Sequence, residues 1–238
     1  MDTYAYHIQQ ELQQWQADMQ CQPSVTNRLT KSLQQRINNL IPEKVHQAIT
    51  AAIKQMTRAV ILGADVFTPS KPLEGSLEEK EHKILERIKF YRSSAAVEGA
   101  LTGAGGFLWG LADFPLWLSL KMKMLFEIAN IYGMDLKDYK ERIYILHVFQ
   151  LTFSSQAHRL EVYKIMAHWE REKDALPEDI NEFDWRTFQL EYRDYIDLAK
   201  FFQMIPGVGA AVGAYVNHRL TDKLGAFAMN AYRMRVGN

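Results

Sequence analysis

Apolar residues return along most of this chain at intervals of three and four, the period of one face of an α-helix. Val45, Ile49, Ile53, Met56 and Val60 keep that spacing, as do Leu29, Leu33, Ile37 and Leu40 before them. Trp185, Phe188, Tyr192, Tyr195, Ala199 and Phe202 form a longer seam, and Leu220, Leu224, Phe227, Ala231 and Met234 close the chain. No run alternates at period two, so the pattern predicts an all-α chain of several helices folded as one domain over 1–238. Residues 1–22, rich in glutamine and sparse in apolar positions, read as a peripheral helix or arm.

Helix boundaries follow from capping chemistry. Pro23, Pro42 and Pro206 interrupt the pattern, and Gly63 and Gly133 are suited to close helices. "SLEE" at 76–79 is a capping box, in which the serine side chain accepts from the Glu79 amide and Glu79 reaches back. Asp135 is expected to cap a helix running to about Phe153, and 157–174 to form one charged amphipathic helix.

Two glycine-bearing segments break the otherwise ordinary texture. "GALTGAGGFLWGLADFPLWLSL", residues 99–120, carries five glycines and one charge, Asp113. Asp113 followed by Phe114 and Pro115 divides it into the end of one helix and the start of another, because proline fits only a helix's first turn. On a helix Gly99, Gly103, Gly106 and Gly110 share a narrow stripe that allows close backbone approach. "GVGAAVGAYVN" at 207–217 offers Gly207, Ala210, Ala214 and Asn217, with Gly213 in the same segment, so two glycine-faced helical segments are expected to pack at the centre. The break at Asp113 and Pro115 argues against a simple membrane span, since a mid-bilayer aspartate costs about 2.5–3.5 kcal/mol. A phosphate loop is excluded by the absence of a following Lys-Ser or Lys-Thr.

Charge and cysteine content narrow the function classes. Lys+Arg and Asp+Glu both total 28, which removes the net charge that would steer the chain to nucleic acid. The single cysteine, Cys21, rules out an internal disulfide and fits a reducing compartment. With no secretory leader at its start, the chain is expected in the cytoplasm.

Candidate chemistry is thin. Glu43 with His46, and Glu79 with His82, have the Glu-x-x-His spacing of helical di-iron sites, but "EEKEHK" reads as a solvated charged face, so no metal and no cofactor is expected. Polar groups in apolar surroundings are stronger candidates: Glu98, Asp113, Arg142 and His147. One reading makes Glu98, Asp113 and His147 an acid/base site of a hydrolase, with Arg142 as a partner for either carboxylate. The other makes Asp113 a cap and Arg142 a structural ion-pair member. No GxSxG or cysteine nucleophile motif accompanies the first. His158 and Glu161 share a helix face as an ordinary surface pair.

The glycine run from Gly99, Ala112-Asp113 with Pro115, Ile128-Ala129 through Tyr132-Gly133, Asp135, and Glu141-Arg142 together resemble the central signature of the EcsC family. "INNLIPEKVHQAI" and "IPGVGAAVGAYVN" followed by Ala228 and Arg233 resemble its flanking blocks, with Lys121 standing where an arginine is expected. The family takes its name from a protein encoded beside an ABC transporter and carries no established activity. The resemblance thus implies an accessory role near membranes, transport or secretion. The expected partner is a membrane or lipid surface at the inner face, or a membrane-associated protein such as a transporter. Trp109, Phe114, Trp117, Phe201 and Phe202 are the expected contact residues. A protein-binding helical module is the third reading.

Overall fold

The polar first segment forms α1, Thr3–Gln20, in a computed structural model that describes residues 3–21, 43–62, 73–102, 114–154, 156–182 and 210–236. It is followed by α2 (Glu43–Leu62), α3 (Leu77–Thr102), α4 (Phe114–Tyr132), α5 (Tyr139–Phe153), α6 (Gln156–Ala167), α7 (Trp169–Asp174) and α8 (Ala210–Val236). A 3₁₀ turn spans Ile180–Glu182, and no β-strand occurs among the described residues, so the fold is all-α.

α5 is the central helix. Every residue from Tyr139 to Phe153 is buried, as expected for a helix whose apolar positions run all round it. α2, α4, α6 and α8 pack around it, and α3 lies along α8 with α4 against both. α1 covers the edge formed by α6 and α8, burying Ile8 and Met19. One contiguous cluster of buried apolar side chains draws on α1 through α8, including Ile53, Ile84, Leu118, Tyr144, Met166, Trp169 and Tyr232. Cys21, just past α1, is exposed.

The capping predictions are realised at two places and shifted at one, and one expected helix is divided. Ser76 N donates to Glu79 Oε2 at 2.8 Å and Glu79 N to Ser76 Oγ at 3.2 Å, the reciprocal box that starts α3. α4 ends at Gly133, whose φ of +94° is a left-handed conformation open to glycine. Gly133 N donates to Asn130 O and Met134 N to Ala129 O, closing the last turn as a Schellman motif. α5 is capped not by Asp135 but by Asp138, which accepts from Lys140 N at 2.8 Å. Asp135 accepts from Lys137 N in the turn before it, so the two aspartates divide the work of turning and capping. The predicted 157–174 helix is two helices, broken at His168, with Trp169 turned into the core.

Close approach by glycine is visible where α8 crosses α3. A Cβ at Gly225 would stand 2.5 Å from Ile88 Cδ1 and 2.7 Å from Cγ1, so any side chain there would require Ile88 or the helix to shift. Of the glycines expected to line the packing faces, Gly99 lies in the last turn of α3 and Gly213 in the first turn of α8. Gly103, Gly106, Gly110 and Gly207 lie outside the described residues.

Candidate functional site

The helices carry their polar chemistry inward. Glu81 of α3 is fully buried, and Arg233 of α8 grips it with both edges of its fork: Nε to Oε1 at 2.8 Å and Nη2 to Oε2 at 2.6 Å. Tyr4 of α1 and Tyr132 of α4 donate their hydroxyls to the same carboxylate at 2.6 and 3.0 Å. Burial by itself would raise the Glu81 pKa, but these donors hold the carboxyl below its ordinary value. Arg233 also reaches Glu11 and Asn230, so one guanidinium ties α1, α3 and α8 together.

A second network lies at the start of α5. Glu141 is buried and accepts from Arg235 Nη1 and Nη2 at 2.5 and 2.9 Å and from Lys173 Nζ at 2.8 Å. Arg235 stacks 4.7 Å over the Tyr144 ring and continues to Glu170. Here too burial would raise the carboxyl, while the two cations bring it down. Both carboxylates are held ionised with their oxygens taken up by donors, which fits them to join helices and unfits them to shuttle protons.

Arg142 and His147 are the two acid/base candidates whose side chains are described. Arg142 donates from Nε and Nη2 to Ile61 O at 3.0 and 2.7 Å, and from Nη1 to Leu136 O and Lys137 O at 2.8 Å each. It therefore closes the C-terminal turn of α2 and holds the turn between α4 and α5. Desolvation lowers its pKa, in keeping with a guanidinium held among backbone carbonyls.

His147 is buried on α5, with Nδ1 3.0 Å from Gln150 Oε1 and its ring edge-on to Trp169 at 5.7 Å. Burial pushes the imidazole down to about 4, so it is neutral at physiological pH. Five residues separate it from Arg142, which sets the two about 140° apart around α5. The fold thus directs Arg142 towards α2 and His147 towards α7 and does not bring them together. Asp113 lies outside the described residues, as does the side chain of Glu98.

The expected contact surface divides in the same way. Phe114, at the start of α4, is buried and stacks on the half-buried Trp117 at 5.7 Å, and Trp117 meets Phe153 at 6.1 Å. Leu116 between them is 51% exposed. Trp109, Phe201 and Phe202 lie outside the described residues. Lys121, one turn along α4, is buried with Nζ 2.5 Å from Thr221 Oγ1 and 5.4 Å from the Trp117 ring centre.

The metal pattern does not assemble where it is described: Glu79 is engaged in the Ser76 capping box, while His82 is exposed beside Glu86. Among the described residues no group of three metal-ligating side chains converges. His158 and Glu161 form the expected surface contact at 3.4 Å. Between α1 and the end of α8 lies a cavity of about 430 Å³, whose walls include Leu12, Gln9, Gln13, Gln16 and Met234. Arg233 forms part of its wall, with its fork already committed to Glu81.

"EEKEHK" is thus only partly a solvated face, because Glu81 is its buried member. The signal was in the spacing: Glu81, Ile84, Ile88 and Tyr91 follow at three, four and three, which puts the glutamate on the apolar stripe.

An all-α chain with buried carboxylate–arginine ties and the Gly133 turn is the class of protein that these features define, and the EcsC protein family model matches residues 7–236. The chain belongs to the EcsC family. It is 43% identical to Protein EcsC of Bacillus subtilis (strain 168) over 230 residues, covering 96% of this chain and 94% of that one. It is also 26% identical over 245 residues to YdbA, an uncharacterized protein of the same organism, covering 94% and 90% of the two chains. No solved structure matches.

Proposed function

We propose that this EcsC-family chain is a cytoplasmic accessory protein that associates peripherally with the inner face of a membrane, in support of transport or secretion. Its apolar elements at 99–120 and 201–216 make the contact. The observation that carries this reading is the start of α4. Leu116 stands 51% exposed on a helix turn that reads Phe-Pro-Leu-Trp, at the end of a 22-residue stretch with one charge. Phe114 and Trp117 brace that turn from the inside. No helix among the described residues is long and apolar enough to cross a membrane.

Sedimentation with vesicles tests the reading. The protein is expected to pellet with vesicles and Leu116→Glu to pellet several-fold less, with unchanged circular dichroism. Absence of binding to both neutral and anionic vesicles sinks the proposal.

A further inference from the structure

Arg159 on α6 and Lys223 on α8 lie near enough for the arginine charge to weigh on the lysine, and among the described residues no acid is paired with either. The Arg159 Nε–H is buried and has no hydrogen-bond partner. Lys223 Nζ donates to the Thr152 carbonyl at 3.2 Å and sits 5.1 Å from the Phe227 ring centre. The nearest acids in sequence are engaged elsewhere: Asp222 with Arg92 at 3.4 Å and His218 at 3.7 Å, and Glu161 with His158 at 3.4 Å.

The surrounding rings link the two side chains. Arg159 and Tyr163 are one turn apart on α6, and Lys223 and Phe227 are one turn apart on α8, so each cation shares a helix face with an aromatic ring. Trp15 of α1 stands edge-on to both rings, 6.0 Å from Tyr163 and 5.7 Å from Phe227. Its Nε1–H is likewise buried without an acceptor. Two cations and two buried N–H donors without acceptors thus flank one set of packed rings, and a buried N–H left without an acceptor favours taking one up.

We propose that Arg159 and Lys223 form a binding site for a phosphoryl group, an oxyanion that accepts from the Arg159 guanidinium and the Lys223 ammonium above the Trp15, Tyr163 and Phe227 rings. Arginine presents a planar donor fork and lysine a compact charge, the pair of groups that phosphate oxygens match. Burial and the neighbouring Arg159 push the Lys223 ammonium down to about 8, so a bound anion relieves a repulsion that the protein alone leaves in place. The assignment does not rest on the membrane reading, because Lys223 lies about 200° around α8 from Thr221, the residue that faces Lys121 of α4.

Two assays on the full chain test it. The melting temperature is followed against inorganic phosphate and against sodium chloride of equal ionic strength. Flotation is measured with phosphatidylcholine vesicles with and without phosphatidate. Wild type is compared with Arg159→Gln, Lys223→Gln and the surface control Lys83→Gln. Phosphate is expected to raise the melting temperature beyond chloride in wild type and control, with apparent affinity falling at least about tenfold in both site variants.

A response to phosphate alone identifies a soluble phosphorylated ligand. Phosphatidate-dependent flotation lost in the same variants identifies a lipid headgroup. Equal responses in all four proteins, or none in either assay, overturn the proposal. Should Arg159→Gln fail to fold, Lys223→Gln, which removes a cation that burial disfavours, decides the outcome alone.

Discussion

Glu81 shows how much a single position depends on what folds around it. Its carboxylate lies on the apolar stripe of α3 and is tolerable there because Arg233, 152 residues away in sequence, supplies two donors and Tyr4 and Tyr132 one each. Glu81→Gln leaves the Arg233 charge buried with Glu11 as its remaining carboxylate. The expected loss is about 3–5 kcal/mol of folding stability, read from the shift in urea midpoint at neutral pH. A loss below about 1 kcal/mol, the scale of an exposed pair, contradicts the assigned role. Arg142 carries the opposite lesson. Its residue type in an apolar setting called for a carboxylate partner, yet its described donors close the end of α2 and hold the turn before α5 through carbonyls alone. Sequence shows that a buried arginine needs acceptors and does not show whether a side chain or a backbone provides them.

At the scale of elements, the contact between α3 and α8 is set by Gly225. Gly225→Val is expected to force Ile88 aside or separate the helices, destabilising the protein by about 1–3 kcal/mol as overpacking does. The double variant Gly225→Val with Ile88→Ala should recover part of that loss in thermal melts; no recovery would place the strain elsewhere. This glycine was not among those picked out by stripe. Its importance comes from the isoleucine opposite, and α8's own pattern holds no trace of that residue. Local chemistry was more legible. The Ser76–Glu79 box and the Gly133 stop depend on neighbours three or four residues away, and both were visible in the sequence. The start of α5 was displaced because Asp135 and Asp138 both suit a turn or a cap, and only the path of the chain chooses between them. The break at His168 follows from packing, since it lets Trp169 enter the core against Tyr144.

For the molecule as a whole, the buried His147 makes stability depend on pH. Its folded pKa of about 4 lies below the ordinary 6.5, so between those values the unfolded chain binds a proton that the native state refuses. Stability is fully present above pH 6.5 and falls as the pH drops towards 4, by up to about 3 kcal/mol over the window. Denaturant midpoints at pH 7 and about pH 5 should show the loss in the wild type and a flatter response in His147→Gln. Identical slopes would mean that the imidazole is hydrated in the native state. Glu81 and Glu141, whose carboxyls are held below their ordinary values, extend the acid loss to lower pH. The all-α architecture and the family were readable from periodicity and motif, whereas the charge ties between α1, α3, α5 and α8 were not, since they join residues that only the fold makes neighbours. The exposed Cys21, the sole thiol of the chain, stands one residue past a helix that helps frame the Arg159–Lys223 cluster. A maleimide fluorophore therefore reports from a single known point without any engineered mutation, and its emission and anisotropy would follow in real time whether α1 shifts as an anion arrives.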